Sequence, residues 1–248
     1  MRNPSTIYVY SQSVYDALNE KPNVYIYYRI LSPDGRTTVV NANPTPTPPP
    51  TPSGFPDVAA SAWYYSSVYA SVEKGLFSGY SNGTFGPDNA LTRAQAAVVL
   101  WRYFNPNDAS SYNASSTRNS TGMRDVAGYT WYTGAANWAV KNNIINGYSN
   151  GSFGPDDSIT REQLCTIVAN AAKAMKGSSI SGSTSKLAGM PDNRQVSSWA
   201  RTSVAWALNN SIISGKSVGS ARYVAPADTV TRAEMAAITV NAINGGVL

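Results

Sequence analysis

Gly79-Tyr80-Ser81-Asn82-Gly83-Thr84-Phe85-Gly86-Pro87 returns, with serine in place of one threonine, as Gly147-Tyr148-Ser149-Asn150-Gly151-Ser152-Phe153-Gly154-Pro155. The step is 68 residues. Trp63, Trp131 and Trp199 keep the same step, and so do Gly79, Gly147 and Gly215. Thr92-Arg93, Thr160-Arg161 and Thr231-Arg232 follow at steps of 68 and then 71 residues. A period running through aromatic, glycine and charged positions together marks three copies of one structural unit. A repeated unit repeats a binding surface, whereas a catalytic centre is usually built once.

Each copy has the same anatomy. It opens on a short acidic turn (Phe55-Pro56-Asp57, Met123-Arg124-Asp125, Met190-Pro191-Asp192). A first helix is expected after the tryptophan, since Tyr64, Val68 and Val72, and again Tyr132, Ala136 and Val140, fall on one helical face. Lys74-Gly75, Asn142-Asn143 and Asn209-Asn210 offer residues that tolerate a left-handed cap at its end. Apolar pairs follow (Leu76-Phe77, Ile144-Ile145, Ile212-Ile213) and lead into the tight loop, where Asn-Gly predicts a type I′ turn. The third loop departs from the pattern and carries three extra residues between Gly215 and Pro226.

A second helix is expected to begin at each Thr-Arg pair. Thr92 with Gln95, Thr160 with Gln163 and Thr231 with Glu234 have the spacing of a capping box. Capping leaves the arginines unexplained. Arg93, Arg161 and Arg232 stand at the first helical position, where the helix dipole disfavours a cation by about 0.3–1 kcal/mol. Two readings are open: a structural ion pair with Asp88, Asp156 or Asp228, or an anion site in which guanidinium and free helix N–H groups converge.

Composition narrows the function classes. Histidine is absent from the 248 residues, which removes the commonest general base and metal ligand. The single cysteine, Cys165, rules out an internal disulfide and a cysteine-based zinc site, and its apolar helical setting reads as core. The net charge of +5 comes without a Lys/Arg-rich run, so nucleic acid gains little support. The Asn-Gly loops lack the spaced aspartates and closing glutamate of a calcium loop. Asp88, Asp156 and Asp157 sit in turns beside helix starts, where capping explains them better than paired-carboxylate catalysis. The chain is accordingly read as non-catalytic, with no cofactor and no metal. No apolar stretch is long enough to span a bilayer.

The segments divide as follows. Residues 1–42 are strand-like and read as the β-rich end of an upstream domain. Residues 43–54 hold a Pro/Thr-rich linker, whose run Pro44–Pro52 is expected to form a polyproline spacer about 28 Å long. The repeats occupy 55–104, 123–172 and 190–244. Ser110–Gly122 and Gly177–Leu187 read as surface connections. Met1-Arg2-Asn3-Pro4 lacks the layout of a signal peptide and looks like a start cut into a longer chain.

With their acidic openings, GYSNG loops and Thr-Arg helix starts, residues 55–244 resemble a triplet of S-layer homology modules. The resemblance implies a mainly α fold in which three helix-loop-helix repeats pack as a pseudo-threefold unit within a monomer, behind the β-rich tail and the Pro/Thr linker. It implies non-covalent anchoring of a secreted protein to a Gram-positive-type cell wall. The ligand would be a pyruvylated secondary cell-wall polysaccharide held in grooves between repeats. Arg93, Arg161 and Arg232 then match the arginine that receives the pyruvate carboxylate. Trp63, Trp131 and Trp199 are candidate floors for a sugar ring, though a core role is equally open. Gly79, Gly147 and Gly215 are candidates for close backbone approach to ligand, with turn geometry as the alternative. Because the third loop is irregular, the grooves are not expected to bind equally. The alternatives are a C-terminal module of an extracellular enzyme or adhesin whose activity lies upstream, and a self-assembly module of a surface layer.

Overall fold

The computed structural model describes residues 27–31, 37–41, 54–106 and 117–248. The chain divides into two compact units, 1–51 and 52–248. In the first, β1 (Tyr27–Leu31) and β2 (Thr37–Asn41) pair antiparallel, with Tyr27 opposite Asn41 and Leu31 opposite Thr37. The spacer expected over Pro44–Pro52 lies outside the described residues.

The second unit is mainly helical. Its elements are α1 (Tyr65–Glu73), α2 (Arg93–Phe104), α3 (Thr133–Lys141), α4 (Arg161–Lys176), α5 (Ser185–Ala188), α6 (Arg201–Asn209), a hairpin of β3 (Lys216–Val218) and β4 (Ala221–Tyr223), and α7 (Arg232–Asn244). Helices α1, α3 and α6 are nine residues each, too short to hold in water alone. They are stabilised by packing, and the packing runs between repeats. Helix α3 lies on α2, α6 on α4, and α1 on α7, so each first helix covers the second helix of another repeat. The third contact joins the last helix to the first and closes a ring.

Backbone hydrogen bonds close the same ring. Leu91 N–H donates to the carbonyl of Val230 (2.8 Å), Val230 N–H to Ile159 (2.9 Å) and Ile159 N–H to Leu91 (3.1 Å). These three residues are fully buried. One residue from each repeat thus satisfies its neighbour's backbone at the centre, where water cannot.

Within each repeat, the acidic opening pins the loop. Asp57 accepts from the N–H groups of Phe85 and Gly86, Asp125 from Phe153 and Gly154, and Asp192 from Val224 and Ala225, all at 2.7–2.9 Å. Beside this clamp Phe55 packs on Phe85, and Phe85 on Phe77. All three capping boxes are complete, so glutamine does the work of glutamate at Gln95 and Gln163.

Three local expectations need correction. Only the glycine of each Asn-Gly pair is left-handed, Gly83 and Gly151 both at φ 81°. Gly83 N–H closes the turn on Tyr80 C=O, and Asn82 Oδ1 accepts from the backbone and hydroxyl of Thr84, so the asparagine stabilises the turn from its flank. In the third repeat the left-handed residue after α6 is Ser211 (φ 56°), not Asn209 or Asn210. The segment Gly177–Leu187 is more than a surface connection. It enters α5 and buries Leu187 completely.

The clamp carries a pH signature. Burial alone would raise the Asp125 carboxyl, but the amides of Phe153 and Gly154, with the Arg93 charge, outweigh it and hold the group below the usual carboxylate range. Its stabilisation is therefore complete above the unfolded value of 3.8 and is lost as pH falls through the lower folded value. In urea titrations Asp125→Asn should be less stable than wild type at pH 7, and the gap should shrink steadily below about pH 4. A gap that stays constant to pH 2 would show that this carboxylate does not couple to folding. Burial likewise pushes the Cys165 thiol up to about 12. A thiol reagent at pH 8 should modify native protein at least about 100-fold more slowly than urea-unfolded protein.

Candidate functional site

The helix starts are engaged with the neighbouring repeat. Arg93 and Ala94 donate their backbone N–H groups to the carbonyls of Asp157 and Pro155; Arg161 and Glu162 to Asp228 and Pro226; Arg232 and Ala233 to Asn89 and Pro87. The next N–H in each helix goes to its capping threonine. The first-turn amides are thus all occupied by protein oxygens. The expectation of free helix N–H groups facing an anion is overturned, because ring closure uses those donors.

The arginine side chains follow the same route. Arg93 donates from Nε to Phe153 C=O (2.7 Å) and from Nη2 to Asn146 C=O (2.8 Å), with its guanidinium 4.5 Å from the centre of the Tyr148 ring. Arg232 donates to Phe85 C=O (2.8 Å) and Ser78 C=O (2.9 Å), over Tyr80 at 4.6 Å. Both are buried, and burial pulls both guanidinium groups below their ordinary value; they keep their proton all the same. These bonds use Nε and Nη2 and leave Nη1. The side chains make no ion pair with Asp88, Asp156 or Asp228. They join each repeat to the loop of the next across a sequence separation of 53 to 154 residues.

Arg161 differs. Its Nε donates to Val224 C=O (2.9 Å), but its Nη1 pairs with Glu234 Oε1 at 3.2 Å. Lys216, which follows Gly215 as Tyr80 follows Gly79, approaches the same oxygen at 3.2 Å and Asp228 Oδ2 at 2.9 Å. The reason is electrostatic. A tyrosine ring can lie on a guanidinium, but an ammonium beside it repels unless a carboxylate stands between them. Glu234 supplies that carboxylate with one oxygen and caps its own helix with the other.

Around this group lies a cleft of about 590 Å³ to which all three repeats contribute. Arg161 comes from the second repeat, Gly215, Lys216, Arg222 and Glu234 from the third, and Trp63 from the first. It thus gathers one predicted arginine, one tryptophan and one glycine. Lys216, Arg222 and Glu234 were missed in the sequence. Their one signal was the irregular third loop, which reads as degeneration until it is seen as a hairpin with two cations on it.

The tryptophans are surface residues. Trp63, Trp131 and Trp199 are 69%, 53% and 56% exposed, which removes the core reading. Trp63 and Trp131 each stand edge-on to the following tyrosine, with ring centres 5.3 Å apart. The glycines separate. A Cβ on Gly79 would lie 2.5 Å from the Phe55 ring, and one on Gly147 would lie 2.7 Å from Ser152 O. Contacts within their own repeat thus account for both. Gly215 is left-handed (φ 82°) and lines the cleft. Among the described residues no cluster of His, Cys, Asp or Glu is arranged to hold a metal, and no helix is long and apolar enough to cross a membrane.

Comparison with known proteins agrees with this architecture. The S-layer homology domain matches at residues 54–97, 122–165 and 190–236. Cell surface glycoprotein 1 of Acetivibrio thermocellus is 30% identical over 175 residues, 68% of this chain and 7% of that protein. A cellulosome-anchoring protein of the same organism is 33% identical over 89 residues, 36% of this chain and 19% of the relative. An amylopullulanase of Thermoanaerobacterium thermosulfurigenes is 28% identical over 71% of this chain and 9% of its own length. The chain spans less than a fifth of each of these relatives. With three matched segments that coincide with three structural repeats, the chain belongs to the S-layer homology domain family, a family of the bacterial cell surface.

Proposed function

We propose that residues 55–244 anchor a secreted bacterial protein to the cell wall without a covalent bond, by holding an acidic secondary cell-wall polysaccharide between repeats. The ligand group is a pyruvylated sugar, whose ketal carboxylate is ionised at neutral pH. In this reading the repeats are 55–104, 123–172 and 190–244, residues 43–54 act as a spacer, and residues 1–42 end an upstream domain. The observation that carries it is the cleft joining Trp63, Arg161 and Gly215 from three repeats. Such a cleft exists only when the ring is closed, and it offers an exposed aromatic face beside cationic side chains. Those are the two surfaces a carboxylated sugar needs: an apolar wall for the ring and a charge-assisted donor for the acid.

One relative carries anchoring in its name and another is an enzyme that shares the same region. Both fit a module attached to different working parts, with any catalysis residing outside it. The two equivalent seams, where Tyr80 lies over Arg232 and Tyr148 over Arg93, would bind differently from the cleft at Lys216. The three sites are therefore proposed to be unequal.

Sedimentation with purified cell walls tests the reading. The chain should pellet with native walls and remain in solution with walls stripped of pyruvyl ketals. Trp63→Ala removes an exposed ring, leaves the ring-closing bonds intact, and should weaken wall binding at least about tenfold. Equal pelleting with stripped walls would contradict the acidic ligand. Unchanged binding by Trp63→Ala would remove this cleft from the site.

A further inference from the structure

The three seams between repeats share a frame but differ at two linked positions. Beside the inter-repeat arginine stand Tyr80, Tyr148 or Lys216, and the capping residue of the same repeat is Gln95, Gln163 or Glu234. Tyrosine goes with glutamine, and lysine with glutamate. At the two tyrosine seams the ring lies on the guanidinium at 4.5–4.6 Å and covers one face of it. The Tyr80 hydroxyl accepts from Asn89 Nδ2 at 3.2 Å. In the third cleft no ring among the described residues covers Arg161; its Nη1 pairs with Glu234, which it shares with Lys216, and its Nε donates to Val224 C=O. Its side chain is only 7% exposed.

Lys216 is differently placed. Its side chain is 34% exposed, and it stands on a hairpin that lines the cleft. An ammonium has three donors, and the ion pairs with Asp228 and Glu234 account for two. The flexible stem lets the charge swing toward a ligand without disturbing backbone contacts. Arg222 adds a second cation on the same hairpin, held by a single bond to Ser214 C=O at 3.2 Å. Trp63 of the first repeat lines the same cleft.

We propose that Lys216 is the specificity-determining residue of the third cleft: there it, rather than the inter-repeat arginine, receives the carboxylate of an acidic sugar packed on Trp63. This rests on the anchoring reading above and gives it a residue that neither the first nor the second repeat has. Arg161 and Lys216 share Glu234, and Asp228 also meets the ammonium, so these four charges balance; of the two cations Lys216 is the exposed one, and it can exchange an ion pair for the carboxylate of the sugar. The cleft therefore takes sugars that bear an anionic substituent and discriminates against their neutral counterparts.

The test follows the Trp63 indole N–H in proton–nitrogen correlation spectra of the full chain. The titrants are pyruvylated N-acetylmannosamine and its de-pyruvylated form. Wild type should show the Trp63 signal moving with the charged sugar and not with the neutral one. Lys216→Tyr combined with Glu234→Gln transplants the chemistry of the first repeat and should retain the fold. It should require at least about tenfold more sugar for the same Trp63 shift, whereas Lys216→Arg should stay within about threefold of wild type. An unchanged Trp63 titration in the double variant overturns the assignment to Lys216. Movement of Trp131 or Trp199 without Trp63 also overturns it, while leaving anchoring through the other grooves intact. Silence at all three tryptophans in wild type overturns the anchoring ligand and this inference with it.

Discussion

Everything in the helical unit depends on each repeat completing the hydrogen bonding of the next. Leu91, Ile159 and Val230 exchange backbone bonds around the centre, and the first-turn amides at Arg93, Arg161 and Arg232 reach the neighbouring loop. The guanidinium groups then cross the same seams. A single repeat would leave these donors and carbonyls buried and unpaired or exposed to water. Each orphaned buried group costs about 1–3 kcal/mol, so the units are stable as a closed set of three. This is where the 68-residue period acquires a physical meaning. The copies are related because each must present the same carbonyls to the copy before it.

That constraint also explains why an arginine stands where the helix dipole resists it. The penalty at a helix N-terminus is a fraction of a kcal/mol, whereas two charge-assisted bonds to buried carbonyls return several times as much. Once the side chain is committed to holding the seam, the proposed ligand chemistry has to be built around it. The first two loops do so with a tyrosine laid on the guanidinium. The third places a lysine and a glutamate there, and its longer hairpin lines the cleft. The proposed binding surface and the stability of the ring therefore share residues. Arginine-to-alanine variants report on both at once, while Trp63 and Lys216 report on the surface.

Much of the fold was legible from local chemistry. The capping boxes at Thr92, Thr160 and Thr231, the burial of Cys165 and the helical faces on Val68 and Ala136 all follow from spacing within one repeat. What escaped were interactions with no local signature. Arg232 meets Ser78 and Phe85 across 154 and 147 residues, and its acceptors are backbone carbonyls, which every residue possesses. The turn was misread because Asn82 stabilises it through its side chain, and an asparagine before glycine looks alike in either geometry. Gly79 and Gly147 were open between ligand and packing until the Phe55 ring and the Ser152 carbonyl were seen against them. The third loop looked broken because its compensation, Glu234, lies eighteen residues beyond Lys216.

The cleft made by ring closure is the proposed ligand site. A crystal structure of the chain soaked with the pyruvylated wall disaccharide tests it most directly. A sugar ring is expected against Trp63, with its carboxylate within hydrogen-bonding distance of the cations lining the same cleft. Sugar bound only on the outer helical surfaces, with every inter-repeat cleft holding nothing but solvent, would contradict it.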